Sequence, residues 1–530
     1  MPDTDSTDSQ EERMAPSIIP TIKTPLAGLW PGLSAQTRAR LRTGLLAVGV
    51  LAACLVLYAV VQYATPGFAD HDGYYHMRMA QLMRVQGLKP DFIWLPLTIL
   101  NPAGFYDHHL LFHAYLSLFA GSNTPADLIA GGKLASVILP SLAALAIWWL
   151  LRGQRVRWAP LWTLALFGLS QAFLYRMSMP RAQSASLLVL VLGLHWLLQR
   201  RFWALLPLGF VYVWLYDAFP LLVVVAGVYV IAALATERKL EWKALLFPAI
   251  GIGLGLVINL YFPTDLRFIL NHLTAKLGDS TPVGNEWYPY DTWTLLINSG
   301  PALAAFVIGA LALGWRGRRM DRATLTAFGL AIVFGFMLFK ARRFVEYYPA
   351  FALIFAALSL APLLDEWLAA ASAGHTRLTR LAPAMMLLVL VAPITFSLQQ
   401  ARATMATSGP ANLYAAASNW LTQNSPAGSL VFQTDWDDFP HLFFYNTHNI
   451  YTAGLDPTYS ELYDPKLYAE WVKITRGEVK QPGQDIRADF GAAFVLTDLA
   501  HSSFIRAAGS DPLLQEVYRD KQAVVYRVLP

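Results

Sequence analysis

The stretch Phe68-Ala69-Asp70-His71-Asp72-Gly73-Tyr74-Tyr75-His76 brings carboxylates and imidazoles together just beyond the first long apolar run of the chain. Carboxylates so near a bilayer are costly unless they line a wet cavity or bind something, which makes this stretch a candidate site. Asp72 is its leading candidate, as a base or a cation ligand, with His71 and His76 as further candidates. The alternative is a solvated loop in which Asp72 only caps the following helix. A second such stretch, Asn101-Pro102-Ala103-Gly104-Phe105-Tyr106-Asp107-His108-His109, adds Asp107 and His108. His113 lies one helical turn beyond His109, a spacing that can share a metal, although two structural histidines on an interfacial helix is the preferred reading.

Three later positions complete the chemistry. Glu286 lies in the loop from Thr281 to Trp293, Arg342 and Arg343 stand at the end of an apolar run, and Trp436-Asp437-Asp438 falls in the polar C-terminal part. Acids that hold a divalent cation or accept a proton, with an arginine suited to phosphate, are what transfer from a lipid phosphate at a membrane surface needs. Taken singly, each has a plainer reading, the arginine pair as a snorkelling anchor and the acids as solvated loop groups.

The elements that must position these residues are membrane helices. The 530 residues are 55% hydrophobic and 14% charged, with mean hydropathy +0.41, whereas soluble domains carry about 25% charged residues. The net charge of +5 comes from arginines at the ends of apolar runs, a topology signal that gives no reason to expect a nucleic-acid partner. Apolar runs near 45–64, 127–151, 158–175, 184–198, 203–216, 218–235, 244–262, 298–315, 323–339, 345–363 and 382–398 predict eleven spans. Arg38, Arg40 and Arg42, then the loops at 152–157, 200–201, 238–243, 316–322 and 377–380, carry the cations, which predicts a cytoplasmic N-terminus and an external C-terminus. Residues 1–40 read as a mostly disordered cytoplasmic tail, 41–398 as the membrane domain, and 65–126 within it as a long first external loop with helices on the membrane surface. Residues 399–530 read as an external, periplasmic α/β domain. Trp214-Leu215-Tyr216-Asp217 is either a tight turn or a polar kink within a span. The single cysteine, Cys54, excludes an intramolecular disulfide.

Taken in order, these residues resemble the catalytic subunits of asparagine-linked oligosaccharyltransferases, within the GT-C superfamily of membrane glycosyltransferases. His71-Asp72-Gly73-Tyr74 is similar to that family's first-loop acidic motif, and Val283-Gly284-Asn285-Glu286 with Pro289 and Trp293 to its glutamate-bearing external loop. Arg343-Phe344 falls where the family has its lipid-phosphate arginine, and Asp435-Trp436-Asp437-Asp438-Phe439 where it has its Trp-Trp-Asp motif. The second acidic motif is replaced: after Arg176 the chain reads Arg181-Ala182-Gln183-Ser184-Ala185, without the carboxylates expected at Gln183 and Ala185. The sequon-reading motif is altered too, beginning with Asp435 in place of tryptophan.

The resemblance implies a GT-C-type polytopic helical protein of the cell (inner) membrane, which moves a sugar or oligosaccharide from a polyprenyl-(di)phosphate donor to an external acceptor. It implies Asp72 and Glu286 as catalytic residues and tentative ligands of a divalent cation, Mg²⁺ or Mn²⁺, held weakly with Gln183 and Ala185 where carboxylates are expected. It implies Arg343, with Arg342, on the donor phosphate, and Trp436, Asp437 and Asp438 on the acceptor. A lipid, polymer or other hydroxyl acceptor is favoured over protein asparagine by the altered motif. A protein that binds or transports lipid-linked glycan without catalysis is the competing class.

Overall fold

The structure is a computed structural model, and it describes residues 34–277, 284–316, 320–374 and 376–530. The expected tail up to residue 33, Thr281, Pro282 and Val283 of the glutamate loop, and Arg318 and Arg319 lie outside the described residues. The chain divides into two units, Met1–Gly49 and Val50–Pro530. Of the first, the described residues open helix α1 (Ala35–Gln62), which runs on across the boundary.

The second unit continues with α2 (Asp72–Gln86), α3 (Leu110–Ser117), α4 (Pro125–Gly153), α5 (Ala159–Ala165), α6 (Gln171–Met177), α7 (Gln183–Leu198), α8 (Leu205–Leu215), α9 (Pro220–Glu237) and α10 (Lys243–Val257). After α11 (Thr264–Leu277) come α12 (Thr292–Arg316), α13 (Arg322–Lys340), α14 (Tyr348–Gly374) and α15 (Thr376–Ala406). Among the described residues seven helices are long and apolar enough to cross a membrane, and four shorter apolar ones begin at Ala159, Gln183, Phe202 and Lys243. Each of the eleven predicted runs has its counterpart in this set, and the protein is a polytopic helical membrane protein.

Two expectations change. The run at 158–175 is not one helix: it breaks after Gly168, and Ser170, in extended backbone, accepts from the Phe173 amide and starts α6 anew. The first loop, expected to carry helices on the membrane surface, has its helix α2 enclosed by protein. In α2, Tyr74 through Met77 and Met79 through Met83 are buried, because the helix packs between α3, α4 and the helix that follows Asp438. The ambiguous Trp214–Asp217 segment is a turn, since α8 ends at Leu215 and α9 begins at Pro220.

The C-terminal part is α/β. After α16 (Ala415–Asn424) come β1 (Leu430–Gln433), α17 (Phe439–Tyr445) and β2 (Ile450–Tyr451), then β3 (Phe494–Asp498), β4 (Leu514–Arg519) and β5 (Ala523–Val528). The sheet order is β2-β1-β3-β5-β4, with β1 parallel to β2 and β3, and β5 antiparallel to β3 and β4. One face buries Phe432, Val495, Val524 and Tyr526 against its own helices. The other buries Val431, Leu496 and Val525 in one core with Tyr75, Met79 and Phe92 of the first loop. The first loop is thereby packed between the membrane helices and the sheet.

Candidate functional site

Five chain turns meet at the N-terminus of α2. Asp72 is the first residue of that helix; its neighbour His71 takes helical backbone angles and gives no side-chain cap. Asp72 does not cap the helix. Its Oδ2 instead meets Nη2 of Arg181, 2.8 Å away, in the link between α6 and α7. Arg176 lies in the last turn of α6, Glu286 stands in a 3₁₀ turn (Asn285–Trp287), Arg343 in another (Arg342–Glu346), and Tyr216 in the α8–α9 turn.

Glu286 ties the arginines together. Its Oε2 accepts from Arg176 Nη1 at 2.8 Å and from Arg181 Nη1 at 3.3 Å, and its Oε1 lies 3.4 Å from Arg343 Nη1. Arg176 also grips Glu346 through Nε, at 2.8 Å, and Nη2. Arg181 takes Asp70 in a fork, Nε to Oδ2 at 2.5 Å and Nη2 to Oδ1. Arg343 differs from the other two arginines: besides its long contact with Glu286 it donates to the Tyr216 hydroxyl at 2.9 Å and lies 4.2 Å over the Trp287 ring. These groups are only partly wet, the Arg176 side chain being 13% exposed and Asp72 28%, so each charge depends on its partner.

The two leading acids are driven apart in acidity. Burial pushes the Asp72 carboxyl up, Arg181 draws it back, and Asp70, Asp437 and Glu286 push again, to about 7. Burial would raise Glu286 as well, but Arg343, Arg176 and Arg181 outweigh it and hold that carboxyl well below the usual range. Asp72 is therefore poised to exchange a proton near neutrality, whereas Glu286 is a fixed negative charge.

The cavity beside this network measures about 130 Å³ and is lined by Asp72, Arg176, Arg181, Glu286 and Arg343, and by His76, His108 and His109. At ~30 Å³ per water it has room for a phosphate-sized group. His76 Nδ1 bonds His113 Nε2, and His113 Nδ1 bonds the buried Asp107, both at 2.8 Å. His113 thus links His76 to Asp107, with both of its ring nitrogens engaged.

Some predicted residues stand elsewhere. Arg342 does not line the cavity: its amide and Nε donate to the carbonyls of Tyr288 and Pro289, bracing the glutamate loop. His71 packs its ring on His441. Trp436, Asp437 and Asp438 form one 3₁₀ turn, whose three residues per turn send the side chains three ways. Trp436 lines a separate groove with Tyr468 and Trp471, Asp437 is close enough to Asp72 to raise its pKa, and Asp438 turns inward to Tyr414. The three do not form one surface.

Arg176, Arg181 and Asp70 are members of this ion-pair network that the sequence reading passed over. The two arginines flank a link that the alternation of cationic loops assigns to the opposite side from those loops, and this departure from the predicted pattern is the signal that could have marked them.

A resident divalent cation does not fit. Cations of this class take six or so oxygen ligands in a shell of 2.0–2.6 Å. Here the oxygens of Asp70, Asp72 and Glu286 converge on the guanidinium of Arg181, and Gln183 and Ala185 supply no carboxylate. Among the described residues no group of three His, Cys, Asp or Glu side chains is arranged to hold a metal.

No protein-family model and no curated protein matches the sequence. Solved structures do match in fold. The archaeal oligosaccharyltransferase AglB from Archaeoglobus fulgidus, solved with an inhibitory peptide and a dolichol-phosphate, aligns with 88% of this chain and 71% of its own, at TM-score 0.63 and 14% identity. ArnT from Cupriavidus metallidurans, bound to undecaprenyl phosphate, aligns with 90% of this chain and 97% of its own, at TM-score 0.56 and 16% identity. The arabinofuranosyltransferase AftD from Mycobacteria aligns over 91% of this chain but 40% of its own, at TM-score 0.51 and 14% identity. The chain has the fold of the GT-C membrane glycosyltransferases.

Proposed function

We propose that the protein is an enzyme of the cell (inner) membrane that transfers a sugar or oligosaccharide from a polyprenyl-linked phosphate or diphosphate to an acceptor on the external face. In this reading the N-terminus is cytoplasmic and the C-terminal α/β part periplasmic, as the alternation of cationic loops predicts. The observation that carries it is the placing of Arg343, on Trp287 and Tyr216, in the same cavity as an Asp72 poised near neutrality.

Arg343 binds the donor phosphate, because a guanidinium with donors to spare meets phosphate oxygens in a fork. The acceptor is a hydroxyl of a lipid or polymer. Its oxygen bonds the anomeric carbon, the bond from that carbon to the phosphate oxygen breaks with its electron pair leaving on the phosphate, and the hydroxyl proton passes to Asp72. A positioned carboxylate of this kind is worth about 10² to 10⁴ in rate. Glu286 holds Arg176, Arg181 and Arg343 in register. The divergence of Trp436, Asp437 and Asp438 favours this acceptor class over the asparagine of a protein sequon.

The test is transfer by the purified protein from a polyprenyl-phosphate-linked sugar to membrane glycolipid from its host. Formation of a glycosylated product, lost in Asp72→Asn, supports the reading. Saturable binding of the donor without any transfer would leave a lipid-linked-glycan binder in its place.

A further inference from the structure

We infer that the guanidinium of Arg181 stands in the place of a divalent cation, so that the transfer proposed above, on which this inference rests, runs without a resident metal. Three carboxylates from two distant parts of the chain, Asp70 and Asp72 before and in α2 and Glu286 in the later loop, close on this one side chain. A cluster of acids around one positive centre is what a metal site looks like; here the centre is a covalent part of the chain. It is held by a fork to Asp70, and the side chain is 19% exposed.

The donor count gives the group its second use. A guanidinium has five N–H donors. Nε serves Asp70, the two of Nη2 serve Asp70 and Asp72, and one of Nη1 serves Glu286. The remaining Nη1 hydrogen belongs to a residue that lines the cavity, where Arg343 also stands. When the bond from the anomeric carbon to the phosphate oxygen breaks, the electron pair stays on that oxygen, and this hydrogen donates to it. Neutralising the acids and stabilising the leaving oxygen are the two services that a cation would supply there, and Arg181 supplies both.

Arginine also imposes what an ion does not. Its charge is permanent across the working pH range, since a guanidinium is not deprotonated in a protein. It cannot be chelated, and it fixes the Asp72 carboxyl in one orientation.

The test has two arms. In the first, Mn²⁺ is titrated into detergent-purified protein stripped of metal, and free Mn²⁺ is read by electron paramagnetic resonance. Wild type is expected to leave the free-ion signal unchanged, while Arg181→Ala, with Asp70, Asp72 and Glu286 released, takes up one ion, and Arg181→Ala with Asp72→Asn takes up none. In the second, transfer is followed with and without EDTA. Wild type is expected to keep its rate within about twofold, and Arg181→Ala to lose on the order of 10²-fold, the cost of removing one donor from a developing oxyanion.

Stoichiometric uptake of Mn²⁺ by wild type that Asp72→Asn abolishes overturns the inference, as does loss of wild-type transfer in EDTA with recovery on adding Mn²⁺. Both wild-type measurements stand even where Arg181→Ala does not fold. If no transfer is found at all, the functional reading fails, and the Mn²⁺ titration still decides the role of Arg181.

Discussion

Gly73 lies so close to Pro180 that a Cβ on the glycine would come within 2.3 Å of the proline Cγ. Each is the chain neighbour of a charged residue, Asp72 and Arg181, whose side chains meet at 2.8 Å. The absence of a side chain at position 73 is therefore what lets the N-terminus of α2 approach the α6–α7 link. Gly73→Ala, which adds a single methyl, forces that link away from α2. Overpacking of this kind costs about 1–3 kcal/mol. We expect a modest drop in thermal stability but a loss of transfer of about 10-fold or more, since a misplacement of ~1 Å costs up to 10²-fold. Transfer rates beside melting curves check it; a full rate with a lowered melting temperature would mean the contact only packs.

Arg343→Lys keeps the charge and loses the shape. A lysine retains attraction for Glu286 but cannot donate in a fork or lie flat on Trp287. Donor affinity is expected to fall by about 10- to 100-fold, with the fold intact. Titration with a polyprenyl phosphate measures this, and an unchanged Kd would remove Arg343 from the phosphate site.

Glu286→Ala acts on three partners at once. It leaves the guanidiniums of Arg176, Arg181 and Arg343 without their shared anion in a partly dry site. Breaking a buried pair costs about 3–5 kcal/mol, and because Arg176 keeps Glu346 and Arg181 keeps Asp70, the loss here belongs at the lower end of that range. Glu286→Gln, which still accepts from one arginine, is expected to be the milder variant in chemical melts. Equal stability of both with wild type would show that the arginines do not need the acid.

The helical architecture was legible because long apolar runs report it directly. Asp72, Glu286 and Arg343 were legible because loop acids and span-end arginines stand out against an apolar chain. Arg181 was quoted only at the head of the stretch that lacks the expected acids, since its meaning depends on Asp70 and Glu286, 111 and 105 residues away. The same limit hid the burial of α2, whose sequence reads as amphipathic until the C-terminal sheet covers its second face. Trp436-Asp437-Asp438 read as one motif, and the tight 3₁₀ turn that divides its side chains leaves no mark in the residue types.

The acidity of Asp72 gives the sharpest prediction. As the proton acceptor it works only when ionised, and with its carboxyl near 7 the transfer rate should rise with pH through about that value. The groups that face it are Arg181, Asp70, Asp437 and Glu286. Because Arg181 draws the carboxyl down, residual activity in Arg181→Ala should need a higher pH than wild type. Stability must move the opposite way. A carboxyl raised from its ordinary 3.8 binds its proton more tightly in the folded state, so its contribution is fully present below about 4 and is lost as pH rises through about 7. Asp72→Asn never ionises, so relative to wild type it should gain stability between pH 5 and pH 8 while losing transfer at every pH. Melting curves at matched scan rate across that range, with the rate profile of wild type, test both halves. A wild-type profile flat through pH 7, or an Asp72→Asn stability difference that does not grow with pH, would show that Asp72 is ionised throughout, and full transfer by Asp72→Asn would show that it is not the base.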